Sequence, residues 1–574
     1  MRLILKEYLS SLRERNELDA ILQDLLSQMG LDVFIRPSPG HKEFGVDIAA
    51  VGAVKDDIER VYLFSVKAGD LDGRDWDGDS NQALRQSLNE IKDVFIPTFM
   101  PSEHEGKPIV ICSCYGGDLK RSISANVSQY EKQNTSENIS YSRWDGEKLS
   151  SLIEQHFLRE DLLPKEFRGL LRKSLALLDE PESSYHFFKE LVSLIFSKKA
   201  KPKDDLKSLR QLNICLRILY SWCREQGNVE SAYLSSELAI LHSWEYAKKY
   251  RGDKKKASNL ILESIGSIHE LYQRISSELI ENKVFKKAST LYSLSFEINS
   301  SNPLDINLKL FDILGRVSLS GLWSYWFINH LYSDDETKEQ ATKMYAELQS
   351  YRKTLISLIA NNPLLFTPYK DDHAIDIALT AWFLSVTGED VNDLHNWLFN
   401  IVDYTEYLFI SDGRYPCSLN SYHELLNHPI KDSPKYLHKV TAGSILYPYI
   451  SLIAAVHGFD DIYDKVKSLK QKYLDHTNFQ IWYPSKSTED KLYTNKGNHG
   501  LTFSDVPIDQ SPEEYLKTIF KECEHFNFFE EISASYCWPI ILTACRHHRI
   551  PVPIDFFYDL YNKQNNESNK SGNE

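Results

Sequence analysis

The first part of the chain alternates helical and extended hydrophobic patterns. Residues 17–30 read ELDAILQDLLSQMG, where apolar residues recur every three to four positions, so we expect an amphipathic helix that stops at Gly30. Short apolar runs typical of strands follow in LDVFIR, VDIAAV, VYLFSV and KPIVICSC. Helical patterns over residues 80–95 and 122–132 and a closing strand–turn–helix in NISYSRWDGEKLSSLIEQHF complete the series. The pattern predicts one mixed α/β domain in residues 1–163.

The remainder of the chain has a helical period almost throughout. Between residues 164 and 562, segments such as KKASNLILESIGSIHELYQRISSELIENK follow one another, with Tyr and Trp recurring inside them. Successive paired helices predict a solenoid or an irregular bundle. The pattern is only loosely similar to tetratricopeptide repeats, because no fixed period of about 34 or 40 residues is present. The polar residues 563–574 predict a disordered tail.

Composition narrows the class of protein. A chain of 574 residues is too long for one hydrophobic core. No apolar run reaches the ~18 residues of a membrane span, no secretory signal is visible, and eight cysteines make no disulfide framework, so we expect a cytoplasmic protein without a membrane segment. The net charge of −15 argues against a protein that coats polyanions, although it is compatible with a local basic groove.

Two isolated charges stand at matching edges of two neighbouring predicted strands. In GVDIAAVGAVKDDIERVYLFSVK, the acid Asp47 begins the first strand and the base Lys67 ends the second. A hairpin would bring them close together, and Ser65 would share the face of Lys67 because strand side chains alternate. An ion pair at a strand edge is the simpler interpretation. The other interpretation is a catalytic site completed by an acid of the first helix, Asp19 or Glu17.

This set of side chains suits hydrolysis of a phosphodiester. A carboxylate such as Asp47 anchors a hard cation, Mg²⁺ or Mn²⁺, which polarises phosphate and acidifies a bound water. A lysine such as Lys67 orients that water and stabilises charge in the transition state.

The order of these elements resembles the PD-(D/E)xK nuclease superfamily, and within it the Mrr-like restriction endonucleases. The resemblance covers about residues 5–163 and depends on the helix with its glycine stop, the Gly45-Val46-Asp47 strand and the strand that ends in Ser65-Val66-Lys67. It implies a restriction-endonuclease-like α/β fold. It also implies that Asp47 is the metal-binding acid and Lys67 the catalytic lysine, with Asp19 as the first-helix acid and Glu17 as its rival. Ser65 departs from the family, which usually has Glu, Asp or Gln there.

Several polar residues near this motif are candidate substrate contacts. His41 and Lys42 precede the Asp47 strand, where a substrate phosphate would pass, and Gln86 lies on the following helix. The alternative for all three is a solvated surface position. DLDGRDWDGDS, residues 70–80, lacks the closing glutamate of a calcium loop. The alternatives are a mobile lid and a partner contact, and its acids, which would repel nucleic acid, favour a gating role.

The leading functional hypothesis is a metal-dependent endonuclease that cuts DNA. Its two-part plan resembles bacterial anti-phage or anti-plasmid defence proteins, which implies a helical sensing or oligomerisation region, a homo-oligomer and a partner protein from the same operon. The other hypothesis is an inactive nuclease-like domain on a helical interaction scaffold. The substitution of Ser65 favours it, as does the net charge of −9 in residues 1–163, from 19 Lys and Arg against 28 Asp and Glu.

Overall fold

A computed structural model shows the chain as two compact units. It describes residues 14–36, 44–54, 58–78, 83–156, 165–197, 202–250, 256–331, 338–388, 390–431, 435–524 and 537–562, with residues 6, 9, 10, 12 and 433. Unit one contains residues 1–235 and 255–264, and unit two contains residues 236–254 and 265–574. Unit one therefore extends beyond the predicted α/β domain of residues 1–163, and the predicted tail at 563–574 lies outside the described residues.

Unit one begins with a mixed α/β region. A π-helical turn, Glu14–Leu18, leads directly into the first α-helix. The elements follow in the order α1 Asp19–Gln28, β1 Asp32–Ile35, β2 Ile48–Gly52, β3 Arg60–Lys67, α2 Gly73–Asp77, α3 Leu84–Glu90, α4 Ile96–Phe99, β4 Ile109–Tyr115, α5 Arg121–Asn134, β5 Ile139–Trp144 and α6 Gly146–His156. A second π-helical turn, Ile91–Phe95, joins α3 to α4, and a short 3₁₀ turn spans Ser102–His104.

The five strands form one sheet in sequence order. β1 pairs with β2 and β2 with β3 in antiparallel fashion, whereas β3, β4 and β5 run parallel. Gly30 ends the first helix with φ +88°, a left-handed conformation that glycine adopts without steric cost. The predicted succession of helix, strands and helices is confirmed as a small mixed sheet in the N-terminal part of the chain.

Both faces of the sheet are covered by helices. One face packs Val61 and Leu63 of β3 against buried residues of α2, α3 and α5, including Trp76, Leu88 and Val127. Helices α1 and α6 contact the sheet on β2 and β5 and contact each other. Burying the sheet on both sides explains why β3 and β4 are almost continuously apolar in sequence.

The remaining elements are almost all helical, as the sequence predicts. Unit one continues with α7 Lys165–Ala176, α8 Pro181–Ile195 and α9 Pro202–Glu225, and the helices α10 Glu230–Tyr250 and α11 Lys256–Ile280 each contribute to both units. The rest of unit two consists of α12 Ser293–Glu297, α13 Pro303–Leu331, α14 Lys338–Asn361, α15 Ala374–Thr387, α16 Asn392–Ile410, α17 Tyr422–Leu426, α18 Tyr436–Val440, β6 Gly443–Ser444, α19 Leu446–His457, α20 Asp460–Tyr473, β7 Asn478–Phe479, β8 Ile481–Tyr483, α21 Thr488–Leu492, β9 Leu501–Phe503, α22 Pro512–Glu524 and α23 Pro539–His548.

Two short strand pairs interrupt the helices of unit two. β6 pairs with β7 in parallel, and β8 pairs with β9 in antiparallel fashion.

None of the helices in the described part of the chain is long and apolar enough to cross a membrane.

Candidate functional site

Asp47 lies where β2 and β3 begin to separate. Its backbone N–H donates at 2.9 Å to the carbonyl oxygen of Phe64, which is already the register partner of Ile48, so the regular β2–β3 pairing ends here. The Asp47 carboxylate then accepts the Val66 backbone N–H on Oδ2 at 2.6 Å. The side chain therefore takes the place of a strand partner for Val66, and the chain before Asp47 leaves the sheet. This contact places the carboxylate beside the residue that immediately precedes Lys67.

A close approach between Gly45 and helix α3 holds the segment that precedes Asp47. Gly45 has φ +81°, and a Cβ atom added there would lie 2.2 Å from the Ser87 carbonyl oxygen. Only glycine permits that contact, because any side chain would overlap the helix backbone. Gly45 thus brings the segment against α3 two residues before Asp47.

Lys67 ends β3 with its ammonium group beside an acid from the N-terminal helix. The Nζ atom lies 3.4 Å from Oε2 of Glu14, with the lysine side chain 12% exposed and the glutamate side chain 30% exposed. An ion pair this sheltered holds the lysine in one orientation more firmly than a surface pair would. Glu14 is therefore an acid that contacts Lys67, whereas the sequence pattern indicates Asp19 or Glu17.

Glu14 lies before the helix that the sequence pattern predicts. That predicted helix covers residues 17–30, whereas Glu14 begins the π-helical turn Glu14–Leu18 that leads into α1. Asp19 is buried at the start of α1, and its Oδ1 atom lies 2.6 Å from the Ala20 backbone nitrogen. The predicted rival, Glu17, lies within the π turn. The apolar periodicity therefore did not extend to the acid that contacts Lys67.

Ser65 and Tyr115 add two buried hydroxyl groups to the same end of the sheet. Ser65 is paired with Ser113 on β4, and Lys67 is paired with Tyr115 on the same strand. Within the described residues, neither Ser65 Oγ nor Tyr115 Oη has a hydrogen-bond partner. Burial raises the pKa of the Tyr115 phenol, and Asp145 adds to the effect, so this hydroxyl remains protonated. Two unsatisfied buried hydroxyls on the face of Lys67 are a feature that a polar ligand would account for.

The two cysteines of β4 do not supply a nucleophile. Burial raises the pKa of the Cys112 thiol to about 12. Burial also raises the pKa of Cys114 well above its usual value, and the negative charge of Asp47 contributes to that shift. Since the thiolate is the reactive form, both groups are inert at neutral pH. The chemistry of this end of the sheet therefore depends on the carboxylates, Lys67 and the hydroxyl groups.

The three predicted substrate contacts have different outcomes. Gln86 is exposed on α3, next to Ser87, against which Gly45 packs. It therefore lies on the helix that borders the segment before Asp47. His41 and Lys42 lie outside the described residues.

The donor atoms fit one kind of metal site. In the stretches of chain that the structure describes, no group of three or more His, Cys, Asp and Glu residues is arranged to hold a metal ion. Asp47 offers a carboxylate whose Oδ2 atom accepts the Val66 N–H, and Ser65 offers a hydroxyl on the neighbouring strand β3. Mg²⁺ commonly binds through one or two carboxylates while it keeps several waters and takes substrate phosphate oxygens. The residues fit that mode and do not fit a cage made entirely of protein ligands.

Unit two contains a buried group of ion pairs that is fully explained as packing between helices. Arg546 of α23 contacts Glu237 of α10 at 2.7 Å and also pairs with Asp312 of α13. His547 contacts the other oxygen of Glu237 at 3.1 Å. Opposite charges compensate one another across three helices, as buried charges require.

Comparison of the sequence and the structure with known proteins finds no matching family model, no similar curated protein and no similar solved structure. The functional conclusion therefore depends on the residues of this site.

Proposed function

We propose that unit one contains a metal-dependent nuclease domain that hydrolyses phosphodiester bonds in DNA. The observation that carries the proposal is a pair of contacts at the end of β3, one to Val66 from Asp47 and one to the next residue, Lys67, from Glu14. The Asp47 carboxylate is hydrogen-bonded to the residue before Lys67, and the Lys67 ammonium is paired with Glu14. The order of elements supports the resemblance to Mrr-like PD-(D/E)xK nucleases and a restriction-endonuclease-like fold.

The roles of the residues follow from their charges and positions. Asp47, with the Ser65 hydroxyl, would hold a hydrated Mg²⁺ or Mn²⁺ ion, which would polarise the scissile phosphate and acidify water. Lys67 donates hydrogen bonds to a phosphate oxygen or to the attacking water and stabilises the negative charge of the transition state. Glu14 holds the lysine in that orientation.

The setting of this activity is also part of the proposal. The resemblance to bacterial defence nucleases suggests that phage or plasmid DNA is the substrate and that the helical part senses a trigger. It further suggests a homo-oligomer, because the acidic composition leaves one subunit with a weak electrostatic grip on DNA.

The test compares purified full-length parent protein with Asp47→Ala and Lys67→Ala on plasmid and linear DNA, with Mg²⁺, Mn²⁺ or EDTA. Asp93→Ala and Lys107→Ala serve as matched controls, because both residues lie in unit one in surface ion pairs. We expect metal-dependent cutting that survives in the controls and disappears in both site variants. Equal cutting by all five proteins would show that the activity is a contaminant.

A second candidate function is an interaction scaffold whose nuclease-like domain is inactive. Ser65 favours it, because a hydroxyl is a weaker metal ligand than the acid or amide that the resemblance implies. Exposed aromatic side chains in unit two, among them Tyr407 and Phe296, would then contact a protein partner. A phage-challenge assay separates the two functions if no cutting is seen in vitro. Protection that is lost in Asp47→Ala and Lys67→Ala supports a gated nuclease, and protection that is retained supports the scaffold.

A further inference from the structure

An exposed aromatic ring, that of Phe99, contacts the chain three residues before Asp47. The rings of Phe44 and Phe99 are nearly parallel, with centroids 4.5 Å apart and planes 19° apart. The ring of Phe95, which is buried, is the second aromatic neighbour of Phe99, and the two ring centroids are 6.5 Å apart. Phe99 itself is 46% exposed at the end of α4. The ring is therefore held in place by two aromatic neighbours while much of its surface faces solvent.

The backbone is strained where it places this ring group. Phe44 has φ +45°, and Gly45 follows with φ +81°. A bulky residue rarely adopts a left-handed conformation, and such strain concentrates at functional positions. In this conformation the Phe44 ring stacks on Phe99, and the Gly45 backbone lies against the Ser87 carbonyl. One short turn thus fixes both Asp47 and the aromatic group.

Phe44 and Asp47 are close enough in the chain for one nucleic-acid strand to contact both, with a base at the aromatic group and a phosphodiester at Asp47. Phe44 precedes Asp47 by three residues, so their Cα atoms are separated by at most about 11 Å. A strand whose phosphodiester lies at Asp47 would therefore bring a nearby base within reach of Phe99.

Charge favours base stacking over phosphate contacts as the source of affinity. The proposed domain has a net charge of −9 in residues 1–163. Electrostatic attraction to the phosphate backbone is therefore weak, whereas stacking of a base on an aromatic ring does not depend on net charge. A base inside a duplex has both faces covered by its neighbours, so only an unpaired base can stack on a protein ring.

We propose that Phe99 stacks on an unpaired base of the substrate strand beside the phosphodiester that is cut, so that the enzyme acts on single-stranded or locally opened DNA. This inference rests on the proposed nuclease function and specifies its substrate. The pairing of Phe99 with Phe44 fixes the ring, and the exposed surface of Phe99 receives the base.

The test measures binding rather than cutting. Full-length parent protein, Phe99→Leu and Phe99→Trp are titrated in EDTA against three fluorescent probes. These are a single strand of about 12 nucleotides, the same strand in a duplex, and the same strand with abasic sites in its centre. Phe296→Leu is the control, since Phe296 is 79% exposed in unit two. Leucine keeps an apolar side chain without a stacking face, and tryptophan restores that face.

We expect Phe99→Leu to weaken binding of the single strand by between about 5-fold and about 150-fold, with no change for the duplex or the abasic strand. We also expect Phe99→Trp to bind as well as the parent and its added indole fluorescence to be quenched by the single strand alone. If the parent binds DNA and Phe99→Leu binds equally well, the stacking role is overturned while the nuclease proposal stands. If the parent binds none of the probes, the stacking role is overturned, and the phage-challenge assay decides between the nuclease and the scaffold.

Discussion

The ammonium group of Lys67 lies 3.4 Å from the carboxylate of Glu14, so the end of a central strand is linked to a π-helical turn more than fifty residues earlier in the chain. This contact makes Glu14 a positioning residue for the proposed lysine. It also distinguishes Glu14 from Asp19 and Glu17, the two acids that the sequence pattern indicates.

Replacing Glu14 by Gln removes the charge that orients Lys67. We expect kcat to fall by at least about 10-fold with little change in KM, because the interaction acts on the lysine and not on the substrate. Steady-state cutting kinetics on a defined oligonucleotide measure both constants. Glu17→Gln is the matched comparison, and a larger loss of kcat there would identify Glu17 as the relevant acid.

Gly45→Ala tests whether the close approach to α3 positions Asp47. The added methyl would lie 2.2 Å from the Ser87 carbonyl oxygen in a backbone with φ +81°. We expect the free energy of unfolding to fall by about 2–4 kcal/mol, from left-handed strain and overlap combined.

Gly106→Ala provides the matched control for Gly45. Its φ of +80° is almost the same, and a Cβ there would meet no atom within 4 Å. The loss of unfolding free energy in Gly106→Ala therefore measures backbone strain alone, and we expect it to be about 1 kcal/mol. Equal losses of stability in urea denaturation of the two variants would contradict a specific contact with α3.

Ser65→Ala separates a structural from a metal-binding role for this hydroxyl. Ser65 Oγ is buried without a hydrogen-bond partner in the part of the chain described, so we expect its removal to leave thermal stability unchanged or slightly higher. If the hydroxyl helps to hold the cation, the Mg²⁺ concentration for half-maximal cutting should rise about 10-fold. Ser113→Ala is the control, because Ser113 is buried beside Ser65 on β4. An unchanged Mg²⁺ requirement would remove Ser65 from the proposed site.

Asp371 in unit two should make stability depend on pH. Its carboxylate accepts the Ser444 hydroxyl and the backbone N–H groups of Ile445 and Leu446 at the start of α19. Burial outweighs these hydrogen bonds and raises the pKa of Asp371 to about 6, with Asp372 adding to the shift. A raised folded-state pKa stabilises the fold fully below the unfolded pKa near 3.8, and that stabilisation is lost as the pH rises to about 6.

Asp371→Asn removes this titration and keeps an oxygen acceptor. We expect the stability of the parent relative to Asp371→Asn to fall by about 2 kcal/mol between about pH 4 and pH 7, measured by urea denaturation. Asp372→Asn is the control. Burial opposes ionisation of Asp372, but Arg549 with His373 and Lys370 lowers its pKa to about 2, so its contribution should be constant over this range. A constant difference for Asp371→Asn as well would show that its carboxyl titrates normally.

Many elements of the N-terminal fold could be predicted from local patterns of apolar and polar residues in the sequence. The apolar runs that became β2, β3 and β4 are short, rich in β-branched residues and bounded by turns, and the helix before them stops at a glycine with positive φ. These patterns involve residues that are close together in sequence, so they can be recognised without the tertiary structure. The same holds for the change from strands to continuous helices after residue 163.

The sequence by itself determined that Asp47 stands at the start of the first strand of the hairpin and Lys67 at the end of the second, because strand ends and hairpins are local features. Only the tertiary structure decided that Glu14, in the π-helical turn before α1, contacts Lys67, because the two residues are more than fifty positions apart in sequence. The contact of Gly45 with Ser87, the stacking of Phe44 on Phe99 and the raised pKa of Asp371 likewise depend on burial and on partners distant in sequence. Such properties arise from packing between elements, which no periodicity within one element specifies.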